Sequence, residues 1–281
     1  MLDRSGLILD IFAANAKTAQ AKLQVELAQM QYLMPRLINM WTHLSKQNGG
    51  IGTRGHGEKE IETDRRLVRN AIDVLKTKLK KIEKQGEVQR KRRHQKINIS
   101  LIGYTNAGKS SLLNTLTKSK VLAENKLFAT LDATVRQWHL MTDEGKYYHF
   151  LLSDTVGFIR KLPHTLIECF KSTLAVVREA DILLHVVDVS NPYFEEHINV
   201  VKNTLMEIGV KGKPTILVLN KSDLLNKENE EQDDHIADFK NNWITKQEWP
   251  AIFVSAQEKE NLGELQELIL KQASKLKSHS F

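Results

Sequence analysis

The sequence contains very little cysteine and no long hydrophobic run. Among its 281 residues there is one cysteine, Cys169, so an internal disulfide is impossible and a reducing compartment is favoured. We interpret Cys169 as a small buried apolar residue rather than a nucleophile. No run of 18 apolar residues is present, and the first six residues include Asp3 and lack the apolar stretch of a secretory signal. These absences predict a cytoplasmic protein with no membrane span.

Negative charge is scarce in the first third of the chain. Residues 1–96 contain 20 Lys and Arg against 10 Asp and Glu, a net charge of +10, whereas the remainder carries −3. A basic segment of this kind favours contact with a polyanion, and we interpret it as an RNA-binding region. The alternative is an ordinary solvated helix surface.

Apolar residues in the same third follow a heptad spacing, which is typical of packed helices. Pro35 falls inside the first seam and predicts a kink or interruption there. Two seams joined by a loop predict an antiparallel helical hairpin over residues 1–95. The first seam comprises Leu23, Leu27, Met30, Met34, Leu37, Trp41 and Leu44, and the second comprises Ile61, Val68, Ile72, Leu75, Leu79 and Ile82.

Glycine is concentrated in the loop between the two seams, residues 48–57, together with Arg54 and His56. This composition predicts an exposed, mobile loop. It is either a plain linker or a tip whose Arg54 reaches a partner. Cations continue from residue 54 to residue 96, at a density that suits phosphate binding without any fixed spacing. They include Arg65, Arg66, Arg69, Lys76, Lys78, Lys80, Lys81, Lys84 and the basic run 90–93.

From residue 97 the pattern changes to short apolar strands that alternate with helices. Strands are predicted at 97–102, 135–142, 147–152, 182–187, 215–219 and 252–254, and helices open and close this region at 110–117 and 262–276. The alternation predicts an α/β fold over residues 96–281, with a mostly parallel sheet covered by helices on both faces.

The clearest chemical motif follows the first predicted strand and opens a helix. Its eight residues fit G-x-x-x-x-G-K-S, in which the glycines let backbone N–H groups approach phosphates at a helix N-terminus. We expect Lys109 to reach the β and γ phosphates of a nucleotide and Ser110 to ligate Mg²⁺. The motif comprises Gly103, Tyr104, Thr105, Asn106, Ala107, Gly108, Lys109 and Ser110.

A second motif, D-x-x-G, lies 44 residues after Ser110, behind a predicted hairpin. An aspartate at the end of a strand can hold Mg²⁺ through water, and a glycine N–H can contact the γ phosphate. We assign these roles to Asp154 and Gly157. The motif comprises Asp154, Thr155, Val156 and Gly157.

Two further motifs end later strands and predict selectivity for guanine. The Asp223 carboxylate can accept hydrogen bonds from N1 and N2 of guanine, which adenine cannot donate. Lys221 can lie along the ring face, and the Ala256 N–H can meet guanine O6. These motifs favour GTP over ATP, and they comprise Asn220, Lys221, Ser222 and Asp223, then Ser255, Ala256 and Gln257.

A switch threonine is also needed, for Mg²⁺ and the γ phosphate, and Thr130 and Thr134 are the candidates. Five segments together, 7–12, 22–29, 103–110, 127–132 and 154–160, resemble the HflX family of GTPases over nearly the whole chain. In that family the switch threonine lies in the segment that matches Phe128, Ala129, Thr130, Leu131 and Asp132, which favours Thr130.

The resemblance implies a helical linker followed by a GTPase domain that binds the large ribosomal subunit. Several family members split stalled or idle ribosomes, notably under heat stress. We therefore expect a monomer that contacts the large subunit and its rRNA through basic residues 54–96 and associates peripherally with ribosomes or membrane. Members usually carry a further N-terminal domain, which we expect this chain to lack.

The residue after the D-x-x-G motif predicts slow intrinsic hydrolysis. Many GTPases place a water-orienting Gln there, whereas this chain has Phe158. In GTPases related by the resemblance, an Asn at the position of Asn106 ligates K⁺; the alternative for Asn106 is ordinary loop hydrogen bonding. We expect Lys109, Thr130, Gly157 and Asn106 to carry catalysis. Two alternatives to a ribosome-coupled enzyme are an RNA-binding assembly or hibernation factor and an inactive product.

Overall fold

The computed structural model describes residues 3–45, 56–91, 96–119, 134–142, 145–160, 171–227, 243–245 and 247–278. These residues form two compact units, of which the first contains the first three helices and the second contains all six described strands. The expected boundary near residues 92–95, most of the glycine-rich loop and Cys169 lie outside the described residues.

The first unit contains α1 (Arg4–Asn15), α2 (Ala19–Ser45) and α3 (His56–Lys91). The predicted helical hairpin is confirmed, because the two seams pack on each other. Leu27, Ile72, Leu75 and Leu79 form its buried core, with Leu23, Met30, Met34 and Val68 packed around them. The side chains of Leu37, Trp41, Leu44 and Ile61 lie outside the described part.

Pro35 does not interrupt α2, which continues ten residues beyond it to Ser45. Proline removes one backbone donor from a helix. The next residue, Arg36, donates from Nη1 to the carbonyl oxygen of Tyr32 at 3.0 Å and stacks over the Tyr32 ring. Arg36 also pairs with Asp3, which caps α1 by accepting from the Gly6 N–H. These contacts stabilise the turn around Pro35. Because α2 continues through Pro35, the predicted interruption is wrong.

The second unit is built on a six-stranded sheet. Its elements in chain order are β1 (Ile97–Ile102), α4 (Lys109–Thr117), β2 (Thr134–Met141), β3 (Tyr147–Asp154), α5 (Lys171–Glu179), β4 (Ile182–Asp188), α6 (Phe194–Glu207), β5 (Thr215–Asn220), a 3-10 helix (Ser222–Lys227), β6 (Ala251–Phe253) and α7 (Leu262–Ser278). The strand order is β2-β3-β1-β4-β5-β6; β2 runs antiparallel to β3, and the other pairs of described strands are parallel.

Both faces of this sheet are covered, as predicted. One face packs apolar residues of β1, β3 and β4 against Leu112 and Leu113 of α4 and Leu265 and Ile269 of α7. On the other face, Val187 and Leu219 pack with Ile198 of α6 and with Trp243. The predicted α/β fold is confirmed. The carboxyl ends of β1, β3, β4 and β5 meet at one edge, where ligands of such sheets usually bind. None of the helices in the described ranges is long and apolar enough to cross a membrane.

Candidate functional site

The eight-residue motif after β1 forms a tight loop that leads into α4. Gly103, Asn106 and Gly108 have positive φ values of 151°, 63° and 90°. A β-carbon on Gly103 would overlap the Val186 carbonyl oxygen, and one on Gly108 would overlap Asn220 Nδ2. Glycine is therefore required at both positions by backbone conformation and by crowding. The loop places the first N–H groups of α4 at the carboxyl edge of the sheet.

Crowding at Gly103 gives a stability prediction. Gly103→Ala should lower the free energy of unfolding by about 3 kcal/mol or more, since it adds steric overlap to backbone strain. Gly145→Ala is the matched control, because Gly145 also has a positive φ of 76° but open space around it. Its cost should be about 1 kcal/mol. Urea unfolding of both variants tests this, and equal losses would show that crowding by β4 is unimportant.

Lys109 begins α4, and its ammonium lies inside the loop. Lys109 Nζ donates to the carbonyl oxygens of Gly103 at 3.2 Å and Tyr104 at 2.9 Å. Burial lowers the pKa of Lys109 to about 8, and the negative charge of Asp154 opposes that shift only in part. A buried cation held by two carbonyls is ready to bind an anion that enters the loop.

The lowered pKa of Lys109 predicts pH-dependent binding of a phosphate ligand. Phosphate stabilises the ammonium, so above pH 8 binding must be accompanied by proton uptake. The affinity for GDP should be about tenfold weaker at pH 9 than at pH 7. Titration with a fluorescent GDP across this range measures the effect. An unchanged affinity would show that Lys109 keeps its proton at pH 9 or does not contact the phosphates.

Ser110 and Asp154 lie together beside Lys109. Ser110 Oγ donates to Asp154 Oδ2 at 2.5 Å, and Asp154 is completely buried at the end of β3. The following Thr155 is fixed by its own hydroxyl, which donates to the Leu101 carbonyl oxygen at 2.7 Å. A serine hydroxyl and a carboxylate oxygen are hard ligands of the kind that Mg²⁺ prefers. The residues therefore fit a magnesium ion, whether bound directly or through water.

The residue that follows the D-x-x-G motif is hydrogen-bonded to the glycine-rich loop. The Phe158 N–H donates to the Gly103 carbonyl oxygen at 3.0 Å, and the Thr105 N–H donates to the Phe158 carbonyl oxygen at 2.9 Å. Gly157 has no room for a side chain, because a β-carbon there would lie 2.7 Å from Thr105 Cα and 3.0 Å from Lys109 Nζ. Phe158 itself is buried. The motif sequence alone did not predict this pairing.

Contacts of Tyr104 connect the phosphate loop to α6 and to the segment after Gly157. The Tyr104 ring stacks on His197 at a centroid distance of 3.8 Å, and its Oη accepts from the Arg160 N–H at 3.3 Å. Arg160 in turn pairs with Glu196 at 2.7 Å. The sequence offers no local signal for these contacts, since His197 lies 93 positions after Tyr104.

The predicted base-recognition motifs meet at Asn220. Its Nδ2 donates to the Ala107 carbonyl oxygen and its Oδ1 accepts from the Ala256 N–H, both at 3.0 Å. The Ala256 N–H, expected at guanine O6, is thus engaged by Asn220 in this structure. Ser255 is buried and accepts from the Glu258 N–H, and Gln257 is exposed.

Lys221 and Asp223 follow on the same edge of the sheet. Lys221 Nζ pairs with Asp188 Oδ2 at 2.6 Å, and its backbone φ is 66°. Ser222 is buried and donates its N–H to the Val254 carbonyl oxygen, while the partly exposed Asp223 lies in the first turn of the 3-10 helix. The sequence analysis did not identify Asp188 as a site residue, although an acidic residue at the end of a parallel strand is itself a signal of a binding site.

Some predicted site residues lie outside the described residues. These are Phe128, Ala129, Thr130, Leu131, Asp132 and Arg54. The alternative threonine, Thr134, begins β2 and is paired in register with Asp154. The assignment of the switch threonine to Thr130 stays a prediction.

A mostly parallel six-stranded sheet, with a glycine-rich phosphate loop after its first strand, defines a P-loop GTPase domain. Residues 98–221 match the family described as 50S ribosome-binding GTPase, and residues 15–93 match the GTP-binding GTPase Middle Region. The GTPase HflX of Flavobacterium psychrophilum is 52% identical over 280 residues, covering 96% of this chain and 67% of that protein. The chain belongs to the HflX family of GTPases.

Other relatives agree with this family. The GTPase HflX of Escherichia coli K12 is 50% identical over 227 residues, which are 80% of this chain and 52% of that protein. The chain thus spans from about half to two thirds of the length of these relatives. A crystal structure of a GTP-binding protein from Sulfolobus solfataricus in complex with GDP is similar, with a TM-score of 0.54 and 27% identity over 98% of this chain and 73% of that one.

Proposed function

We propose that this chain binds GTP with Mg²⁺, hydrolyses it, and couples that cycle to the large (50S-type) ribosomal subunit during ribosome splitting, rescue or recycling under stress. The observation that supports this most is the meeting of Lys109, Ser110, Asp154 and Gly157 at one end of the glycine-rich loop. A buried cation, a hydroxyl, a carboxylate and a glycine without a side chain suit a γ phosphate with its metal.

The chain supplies a distinct contact for each part of the nucleotide. The N–H groups of the loop and of α4 bind the phosphates, and Lys109 holds the β and γ oxygens. Ser110 and Thr130 would hold Mg²⁺, with Asp154 acting through water, and the ion would neutralise charge on the phosphates. Asp223 recognises guanine. The side-chain amide of Asn220 holds the loops that contact the base in a fixed position relative to the phosphate loop.

The ribosome contact is assigned to the basic surface of α3. Lys76, Lys78, Lys80, Lys81 and Lys84 are all exposed, while the apolar seam of the same helix is buried against α2. Exposed cations along one helix bind a phosphate backbone by releasing its counterions, so affinity should fall as salt rises. The family description of residues 98–221 also names a 50S-binding GTPase.

Sedimentation with large subunits tests the partner. The chain should sediment with them in the presence of a non-hydrolysable GTP analogue, and less with GDP. A double variant, Lys76→Glu with Lys80→Glu, should weaken binding and reduce the salt slope by about one for each lysine. Lys211→Glu with Lys271→Glu makes the same charge change at exposed positions of the other unit. If the two double variants bind equally, α3 is not the contact.

An RNA-binding assembly or hibernation factor is the second candidate. The buried Phe158, whose backbone is hydrogen-bonded to the loop, favours it, because an apolar ring cannot orient water. The bound nucleotide would then control the affinity for RNA, and little GTP would be hydrolysed. Nucleotide-dependent sedimentation without stimulated hydrolysis would support this function over a ribosome-coupled enzyme.

A further inference from the structure

Lys221 has an unusual backbone conformation for a lysine. Its φ is 66°, in the left-handed region, directly after β5 ends at Asn220. A residue other than glycine is strained there, and it keeps this conformation only where neighbouring contacts hold it. The Leu224 N–H donates to the Lys221 carbonyl oxygen at 3.1 Å, and the Ser222 N–H donates to the Val254 carbonyl oxygen at 3.2 Å. This turn fixes the point at which the Lys221 side chain leaves the edge of the sheet.

The ammonium of Lys221 is bound by the carboxylate of Asp188. Lys221 Nζ lies 2.6 Å from Asp188 Oδ2, and the two side chains are only 26% and 18% exposed. A charge-assisted hydrogen bond of this length is stronger than a neutral one, and partial burial reduces its screening by salt. The charge of Lys221 is thus balanced by the protein itself, without a phosphate group of a ligand.

Asp188 is fixed in turn by the segment that follows β4. Its Oδ1 accepts from the Ser190 N–H at 3.1 Å and from Ser190 Oγ at 2.5 Å. Its backbone is paired in register with Asn220, and the Val189 N–H donates to the Asn220 carbonyl oxygen at 3.0 Å. One carboxylate oxygen therefore orients the group while the other holds Lys221, as expected of a side chain that supports a binding residue.

The Lys221–Asp188 pair lies beside the residues assigned to the guanine base. Asn220, directly before Lys221, bonds to the Ala107 carbonyl oxygen and the Ala256 N–H, and Asp223 lies in the first turn of the 3-10 helix. Because the ammonium is held at the end of β4, the methylene groups of Lys221 span the gap from β5 to that strand. A lysine whose charged end is held in this way presents an apolar stem along its length.

We propose that Asp188 is a positioning residue for nucleotide binding, which holds the Lys221 ammonium so that the methylene stem of Lys221 forms a fixed apolar support for the face of the purine ring. This inference rests on the proposed binding of GTP and extends it to a residue that acts through Lys221. Asp223 then recognises the edge of the base, while the Lys221–Asp188 pair supports its face. The contribution of the pair should therefore be the same for different purines.

Asp188→Asn in the full chain tests this support, since the amide oxygen can still accept from Ser190. The affinities for GDP and for inosine diphosphate, which lacks the 2-amino group, should each fall about tenfold, because a charge-assisted hydrogen bond is weakened. Their ratio should stay at the wild-type value, and the affinity for inorganic pyrophosphate, which has no ring, should not change. Titration calorimetry measures all three. A wild-type GDP affinity, a changed ratio, or an equal loss for pyrophosphate would overturn the proposal.

Two further variants separate positioning from a general weakening of β4. Asp181→Asn makes the same chemical change just before β4 begins, where the carboxylate accepts from the Asn98 N–H at 2.7 Å, and it should leave GDP affinity unchanged. Lys221→Met keeps an apolar stem and removes the ammonium, so Asp188→Asn should add little to its loss. A comparable loss in Asp181→Asn, or losses that multiply in the double variant, would show that Asp188 does not act through Lys221. If the wild type binds no GDP, the proposed function fails instead.

Discussion

Hydrolysis of GTP is expected to be about 10³- to 10⁵-fold faster with large subunits in potassium than for the chain alone in sodium. This is the range that a positive charge near the transferring phosphoryl group supplies in other GTPases. Phe158 offers no hydrogen-bonding group for the attacking water, so the chain alone should be slow. Asn106 is exposed at the bend of the phosphate loop. We expect its side chain to ligate K⁺ beside the phosphates.

Steady-state rates in potassium and in sodium, with and without large subunits, measure this effect. Asn106→Gly is a better test than Asn106→Ala, since the φ of 63° at this position would strain an alanine. It should lose the potassium effect while it keeps GDP affinity. Equal rates in the two salts would remove the ion from the mechanism. Absence of stimulation by large subunits would favour the nucleotide-gated binding protein.

Asp223→Asn is expected to weaken GDP binding by roughly 30- to 150-fold, because a charge-assisted pair of hydrogen bonds contributes about 2–3 kcal/mol. Asp223 lies partly exposed in the first turn of the 3-10 helix, next to the Asn220 bridge that fixes this edge of the site. The substitution replaces one acceptor oxygen with a donor that faces the guanine N–H groups.

Competition of GDP against ADP measures the loss of selectivity. Asp73→Asn is the matched control, since it makes the same chemical change at an exposed position of α3. It should leave both affinities unchanged. If the wild type binds GDP and ADP equally, the assignment of Asp223 to guanine fails.

The fold and the positions of the motifs could be predicted from the sequence because they depend on local patterns. The alternation of short apolar strands with helices predicted the parallel sheet. The phosphate loop has a fixed spacing of residues, which places Lys109 and Ser110 at the start of a helix. The interruption predicted at Pro35 was wrong because it considered only the lost backbone donor, whereas the alternative of a kink stays a prediction. Contacts of Arg36 with Tyr32 and Asp3, which lie up to 33 positions away, stabilise the helix there.

The contacts that shape the candidate site could not be predicted in the same way. The pairing of Phe158 with the phosphate loop is an isolated parallel bridge to Tyr104 that lies one residue out of the β1–β3 register, so it depends on how two distant segments align. Lys221 was expected along the base, yet its partner Asp188 lies on the neighbouring strand. Such features appear only when distant segments are brought together.

The side-chain amide of Asn220 has a consequence for anyone who redesigns this domain. One group holds the phosphate loop through Ala107 and the loop after β6 through Ala256. An aspartate would lose the donor to Ala107, and an alanine would leave buried groups of both loops without partners. Altered base preference should therefore be sought by changing Asp223 while Asn220 is kept. A library that varies both positions together would consist mostly of proteins that bind no nucleotide, whatever its base.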